Sequence, residues 1–521
     1  MIIINLFKIF LMIFLVMSLI IMNNTFLMNF QMLIILNEMF LNLYKNFILV
    51  MDIYSSSFFF IVSIVVMNVL SFMNIYMNMN KNMKVFFFMT KIFVISMFLL
   101  VFSFNLWTMI MGWEGLGMSS FFLIFYYNNF ESWKSAIKTF INNKMGDCLI
   151  LMSMIYSTIN LNSFKMVGLM FLISMMTKSA QYPFMSWLPM AMAAPTPISA
   201  MVHSSTLVTA GLFIMFRLIN NFFSKTNLNL ITNLCLLSMF ISGFKAMSEK
   251  DMKKMIALST LSQISLIFFF LINNMKIIAF IYMCNHALFK SLIFINMGLM
   301  MMNNFSNQLK FNMLNKNMCS NFILSYKVSC LNLMNMSFFS SFFIKEKMLM
   351  KLSSNFFSMM KFTIFMVSSF FTMNYSLKMM LFFNKSNFKI KKNNMFEKKN
   401  YSKSFFLMNI FSIFYSKIMM EMILFVNMMN SLIMTFYLIS MMMNFKIYSK
   451  KINFTSSLAY TEFNMYIYPF KMIKYNLDIN ELWMEKISLN FYFLMKNKII
   501  FKTFNMNFNL IMMLFIIMMF I

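Results

Sequence analysis

Apolar residues run on for twenty at a time along this chain, with short polar stretches between the blocks. At ~1.5 Å of rise per residue, a helix of that length crosses a hydrocarbon layer of ~30 Å. Residues 3–22, 85–104, 226–246 and 504–521 are clear cases. Alternation of period two is absent, which argues against a barrel and leaves helices as the way to satisfy a backbone in lipid. The pattern predicts about fifteen spans, at 3–22, 52–77, 85–104, 106–126, 137–157, 164–188, 198–220, 226–246, 253–272, 276–302, 320–344, 361–383, 404–420, 422–443 and 504–521. No small-residue cleavage pattern follows the first, so it is expected to be retained rather than removed as a signal peptide. From 445 to 503 charged residues interleave with aromatic and aliphatic ones. That stretch is too polar to span and too apolar to be free in water. It predicts a long amphipathic segment lying along the membrane or against partners, with a disordered linker as the alternative.

Composition agrees: 61% of the 521 residues are hydrophobic and 11% charged, more apolar surface than a soluble domain can cover. The fold class expected is therefore an all-α polytopic membrane protein. Methionine and phenylalanine reach 72 each, and Arg217 is the single arginine. These residues belong to A- and T-rich codons, and a methionine excess is expected where ATA is read as methionine, so the chain points to an organelle genome. Cys148, Cys235, Cys284, Cys319 and Cys330 show no CxxC spacing, which indicates neither an iron–sulfur ligand set nor a disulfide framework. Two widely separated histidines are weak grounds for a metal, and no GxGxxG or GxxxxGK loop offers a nucleotide site.

A net charge of +29 suggests nucleic acid until its distribution is examined. Loops after the even spans carry thirteen lysines, seven of them from Lys385 to Lys403, and loops after the odd spans carry five. That bias is the positive-inside signature, so the even side and the N-terminus are expected to face the matrix or cytoplasm. The surplus charge reads as topology and contact with anionic lipid, not as a nucleic-acid surface.

The informative polar residues lie inside the spans. In MMTKSAQYPFMSWLP, residues 175–189, Lys178 would cost ~2.5–3.5 kcal/mol at mid-helix, so it should face the bundle interior with a partner or water. Pro183 has no N–H, which leaves the Ser179 carbonyl without its helical donor beside that ammonium. Four of the five prolines fall between residues 183 and 197, as where irregular backbone lines a cavity. The plain alternative is a lysine that snorkels from a helix end. Glu114 sits among Gly112, Gly115 and Gly117, which permit close helix approach, and a carboxylate there is either paired or protonated. Both histidines lie in apolar runs: His203 in ISAMVHSSTLVTAGLF and His286 in YMCNHALFKSLIF, with Lys290 one turn on. Lys345 and Glu346 close the eleventh span. A lone buried histidine is usually structural, but two of two, one of them beside a lysine, favour a proton relay.

GWEGLG, KSAQYPFMSWLPMAMAAPTPISAMVHSSTLVTAG, EKDMKKMIALSTLSQ and NHALFKS resemble the antiporter-like membrane subunits of mitochondrial NADH:ubiquinone oxidoreductase, the respiratory complex I. The motif core runs from about 105 to 300, with weaker similarity over nearly the whole chain. The resemblance implies a proton channel with two discontinuous helices and a midplane row of charges. It assigns a first pair to Glu114 and Lys178, a central relay to His203, His286 and Lys290, and the distal residue to Lys345, with Asp147 and Glu346 as further polar positions of the family. The family's Gly and Pro ahead of the distal lysine are missing from LNLMNMSFFSSFFIKEK, which leaves the break of that second helix open.

By this resemblance the chain divides into N-terminal spans (1–104), a proton-translocating core (105–350), further spans (351–444), the lateral segment (445–503) and a final span (504–521). It implies pumping coupled to redox chemistry in other subunits, in the mitochondrial inner membrane, beside a neighbouring antiporter-like subunit and lipid. No cofactor is expected in this chain. FMN, iron–sulfur clusters, NADH and ubiquinone are expected elsewhere in the complex. An autonomous cation/proton exchanger and a structural brace are the rival functions.

Overall fold

The computed structural model describes residues 11–12, 32–36, 47–78, 80, 82–103, 105–159, 164–222, 225–304, 307–309, 320–336, 339–342, 344–346, 359–382, 408, 409, 412 and 415. The expected spans at 422–443 and 504–521, the lateral segment 445–503 and the lysines from 385 to 403 lie outside these residues. So do most of the spans at 3–22 and 404–420.

The helices follow the apolar blocks. In order they are α1 (Ile53–Tyr76), α2 (Met83–Phe102), α3 (Leu106–Phe125), α4 (Phe130–Ile159), α5 (Phe164–Lys178), α6 (Leu207–Phe222), α7 (Lys225–Ser248), α8 (Met252–Ile272), α9 (Lys276–Asn303), α10 (Ser320–Met334) and α11 (Met359–Phe382). Among the described residues, seven helical stretches are long and apolar enough to cross a membrane by length and composition. A helix that is apolar all round belongs in the interior. The apolar windows of α8 and of Thr196–Leu218 are 100% buried and that of α9 is 94% buried, against 61% for α2, so these three form the centre and α2 lies outside them.

One element departs from the all-α expectation. Met32–Leu36 (β1) and Phe47–Met51 (β2) pair as an antiparallel ribbon, with Met32 opposite Met51 and Leu36 opposite Phe47. MLIIL and FILVM are five-residue runs rich in β-branched residues. They are too short to span, and pairing satisfies their backbones.

Two helices are interrupted. α5 stops at Lys178, where Ala180 takes a left-handed conformation (φ 55°) and the Gln181 N–H donates back to the Met176 carbonyl at 3.0 Å. This is the closing geometry of a helix C-terminus, reached before Pro183 acts. Short turns at Phe184–Ser186, Trp187–Met190, Ala191–Ala193 and Thr196–Ile198 follow. A π-helical stretch, Ser199–Thr206, then leads into α6. Its Ser205 and Thr206 hydroxyls both donate to the Met201 carbonyl, at 2.9 and 2.8 Å, and take up groups that a widened turn exposes.

The second interruption falls within the span expected at 320–344, where the sequence left a break open. α10 ends at Met334, Asn335 is left-handed (φ 57°), and the Met336 N–H donates to the Leu331 carbonyl at 3.3 Å. Helical turns resume at 340–342 and 344–346, just ahead of and through Lys345. Asparagine tolerates the left-handed region, so this break needs neither Gly nor Pro. Asn332 clamps it: its Oδ1 accepts from Ser340 Oγ (2.9 Å) and the Ser341 N–H (3.2 Å), while its Nδ2 donates to the Ser412 carbonyl (2.7 Å).

Candidate functional site

The charges singled out from sequence are mostly inside the bundle. Lys178, His203, His286 and Lys290 are fully buried, Lys345 is 1% exposed, and Asp147 and Glu346 are also buried. Glu114 differs, with a side chain 40% exposed.

Lys178 closes α5, and its Nζ donates to the backbone carbonyl of Trp113 on α3. The same ammonium lies over the Trp113 ring, 3.8 Å from its centroid, where the π face attracts a cation. Trp113 Nε1 donates in turn to Asp147 Oδ1 on α4 at 2.7 Å. The other carboxylate oxygen of Asp147 is 3.3 Å from Lys144 Nζ, one turn away on α4, and Lys144 is 3.8 Å from Glu114 Oε1. The direct Glu114–Lys178 pair implied by the resemblance is not formed. The two are joined through Lys144, Asp147 and Trp113, and Asp147, ahead of Lys144 and Glu114, is the charge acting most on Lys178.

The packing that permits this rests on two glycines. A Cβ on Gly112 would meet the Leu100 backbone nitrogen at 2.7 Å, and one on Gly146 would meet Thr177 Oγ1 at 2.2 Å. The first brings α3 against α2. The second brings α4 against the last turn of α5.

Side chains serve the broken end of α5. The Ser179 carbonyl, expected to stand open beside the ammonium, accepts from Gln181 Nε2 at 3.2 Å, and Ser238 on α7 donates to Gln181 Oε1 at 2.7 Å. Trp187 Nε1 donates to the Thr177 carbonyl at 3.1 Å. Its ring lies 6.3 Å from that of His203, edge to face, so Trp187 links the α5 terminus to the first histidine. Among the described residues, neither ring nitrogen of His203 or His286 has a hydrogen-bond partner, and the same holds for the side chain of Asn285. Buried polar groups of this kind are normally served by water.

Lys290 on α9 donates to Ser259 Oγ on α8 at 2.6 Å. His286 and Lys290 lie one turn apart on α9, while His203 lies beside Trp187. Among the described residues, Lys345 Nζ has no hydrogen-bond partner. On α8 and α11, Gln263 Nε2 donates to Tyr375 Oη (3.0 Å), which also pairs with Ser262 Oγ (2.9 Å), and Tyr282 Oη donates to Gln263 Oε1. This polar knot begins one turn from Ser259.

Sequence reasoning missed Lys144, Trp113 and Ser259. The i,i+3 spacing of Lys144 and Asp147 was a usable signal. Nothing in the sequence marked Trp113, whose part depends on which way two neighbouring helices face. Among the described residues no group of three His, Cys, Asp or Glu side chains could hold a metal ion.

The family model for the transmembrane region of NADH:quinone oxidoreductase and Mrp antiporter subunits matches residues 103–373. NADH-ubiquinone oxidoreductase chain 5 of Caenorhabditis elegans is 38% identical over 330 residues, covering 62% of this chain and 63% of its own. The chain 5 proteins of Ascaris suum (37%, covering 63% of this chain and 62% of its own) and Anopheles quadrimaculatus (35%, 60% and 57%) are similar, so the chain spans about three fifths of the length of these relatives. Among solved structures, a chain of the archaeal membrane-bound sulfane sulfur reductase superposes with TM-score 0.68 at 17% identity, covering 80% of this chain and 90% of its own. A chain of the Mrp complex from a Dietzia species gives 0.69 at 16% identity, covering 93% and 57%. The family match runs over more than half of the chain and takes in every buried lysine described above, and the chain belongs to the NADH:quinone oxidoreductase/Mrp antiporter transmembrane family.

Proposed function

We propose that the chain is the membrane subunit of respiratory complex I that corresponds to chain 5, and that it moves protons through its buried charges while redox chemistry proceeds in other subunits. The observation that carries this is the state of Lys178, Lys290 and Lys345: all three are buried, and among the described residues none is ion-paired. Lysines kept in an apolar interior without carboxylate partners are costly to the fold and suited to exchanging protons.

The cycle begins at Lys178, held as a cation on Trp113 with Asp147 behind the indole. A change arriving from the redox subunits weakens that hold. The desolvated ammonium then gives up its proton through water toward His203, His286 and Lys290, and Lys345 releases it on the far side. Moving one charge against 100 mV costs ~2.3 kcal/mol, which the repulsion between neighbouring buried ammonium groups is large enough to supply. FMN, iron–sulfur clusters, NADH and ubiquinone belong to the partner subunits in this account, and the complex sits in the mitochondrial inner membrane with the N-terminus toward the matrix.

A neighbouring antiporter-like subunit is the partner that fits the α3–α4 face. The half-exposed Glu114–Lys144 pair lies there among exposed Trp107, Met111, Met145 and Met152. An ion pair facing lipid is unfavourable, so protein covers it.

Lys290→Met separates pump from brace. The complex should assemble and oxidise NADH more slowly, with reduced proton release into proteoliposomes. Undiminished pumping would leave the chain as a structural support.

A further inference from the structure

Glu114 and Lys144 are partly exposed, while Lys178 is fully buried and touches neither. A signal that reaches the exposed pair must still reach the lysine. One side chain bridges that gap. Trp113 presents its ring face and its backbone carbonyl to the Lys178 ammonium, and its Nε1–H to Asp147, whose second oxygen faces Lys144.

The bridge is directional in its physics. An indole that donates to a carboxylate becomes more electron-rich, and an electron-rich ring binds a cation more strongly, most of all away from water. Asp147 shares its two oxygens between Trp113 and Lys144, so drawing the carboxylate toward Lys144 weakens its bond to the indole and with it the hold on Lys178. The groups around the ammonium from the packed helices are Trp113 and, farther off, Glu114 of α3, and Asp147 and Lys144 of α4. Gly146 keeps α4 close against the last turn of α5, which carries Lys178.

Resting on the proposed function, we infer that Trp113 is a positioning residue which transmits the state of the Glu114–Lys144–Asp147 row to Lys178 through its indole N–H and ring. It donates no proton to the path itself.

The test uses the assembled complex in proteoliposomes, with protons pumped per NADH measured across pH for Trp113→Phe, Trp113→Leu, Asp147→Asn and the double variant Trp113→Phe/Asp147→Asn. Trp113→Phe keeps a ring and loses the N–H. Its pumping should fall off at a pH lower than wild type by on the order of one unit, and Trp113→Leu should shift it further. Asp147→Asn should move the profile in the same direction, and the double variant should shift it by less than the sum of the two single shifts, because part of the Asp147 effect passes through the indole. Profiles that stay in place in both Trp113 variants, or shifts that simply add in the double variant, overturn the inference. If these results accompany a loss of pumping in Lys178→Met, the wider proposal stands without it. Undiminished pumping in Lys178→Met removes both.

Discussion

The side-chain nitrogen of Lys290, midway along α9, donates to the hydroxyl of Ser259 on α8 across 2.6 Å, and both residues are fully buried. Among the described residues a neutral hydroxyl is therefore the partner of this amine in the centre of the bundle. Replacing Ser259 with alanine leaves that donor unpaired, at ~1–3 kcal/mol. The Ser259→Ala complex should inactivate at lower temperature and pump more slowly, and Ser259→Thr, which keeps the hydroxyl, should recover most of both. Identical thermal inactivation in Ser259→Ala would show that the hydroxyl does not hold the lysine.

Gly146 brings α4 against the end of α5. The Cβ of Gly146→Ala would lie 2.2 Å from Thr177 Oγ1, with its next neighbours at 3.4 Å. Overpacking of this sort costs ~1–3 kcal/mol, and here it pushes Asp147 away from Trp113. The amount of assembled complex and its pumping should both drop. Thr177→Ala removes the clashing atom and should restore them in the double variant. A defect that Thr177→Ala does not relieve would place the clash elsewhere.

Asn335 interrupts the helix that leads to Lys345 by its backbone: its φ is 57°, and among the described residues its side-chain amide has no hydrogen-bond partner. Asn335→Gly should leave the stability of the complex at or slightly above wild type. Asn335→Ala should cost ~1–2 kcal/mol and Asn335→Val more, since the left-handed region penalises a Cβ. Denaturation of the three purified complexes would rank them, and an alanine variant as stable as the glycine variant would contradict the assignment.

Helix positions were legible because the bilayer imposes a length. The spans expected at 52–77, 253–272 and 276–302 are found at Ile53–Tyr76, Met252–Ile272 and Lys276–Asn303. The break after Lys178 was legible from its prolines. Its mechanism was not, because the left-handed Ala180 and the Gln181 amide finish the helix before Pro183 is reached. The break at Asn335 carried no Gly or Pro signal and was closed by Asn332, Ser340 and Ser412, residues that ordinary loops also contain. Burial of the lysines followed from their cost in lipid. Their partners did not, since whether Lys178 meets Glu114 or Trp113 depends on how α3 turns against α4 and α5, and periodicity along one helix holds no record of that.

The central claim is that protons cross this chain by way of Lys178. Its most direct test is the number of protons released per NADH oxidised in proteoliposomes that hold the Lys178→Met complex, with assembly confirmed by NADH oxidation through an artificial acceptor. The account predicts a lower ratio, or slowed turnover with pumping lost in step. A ratio and rate equal to wild type would contradict it.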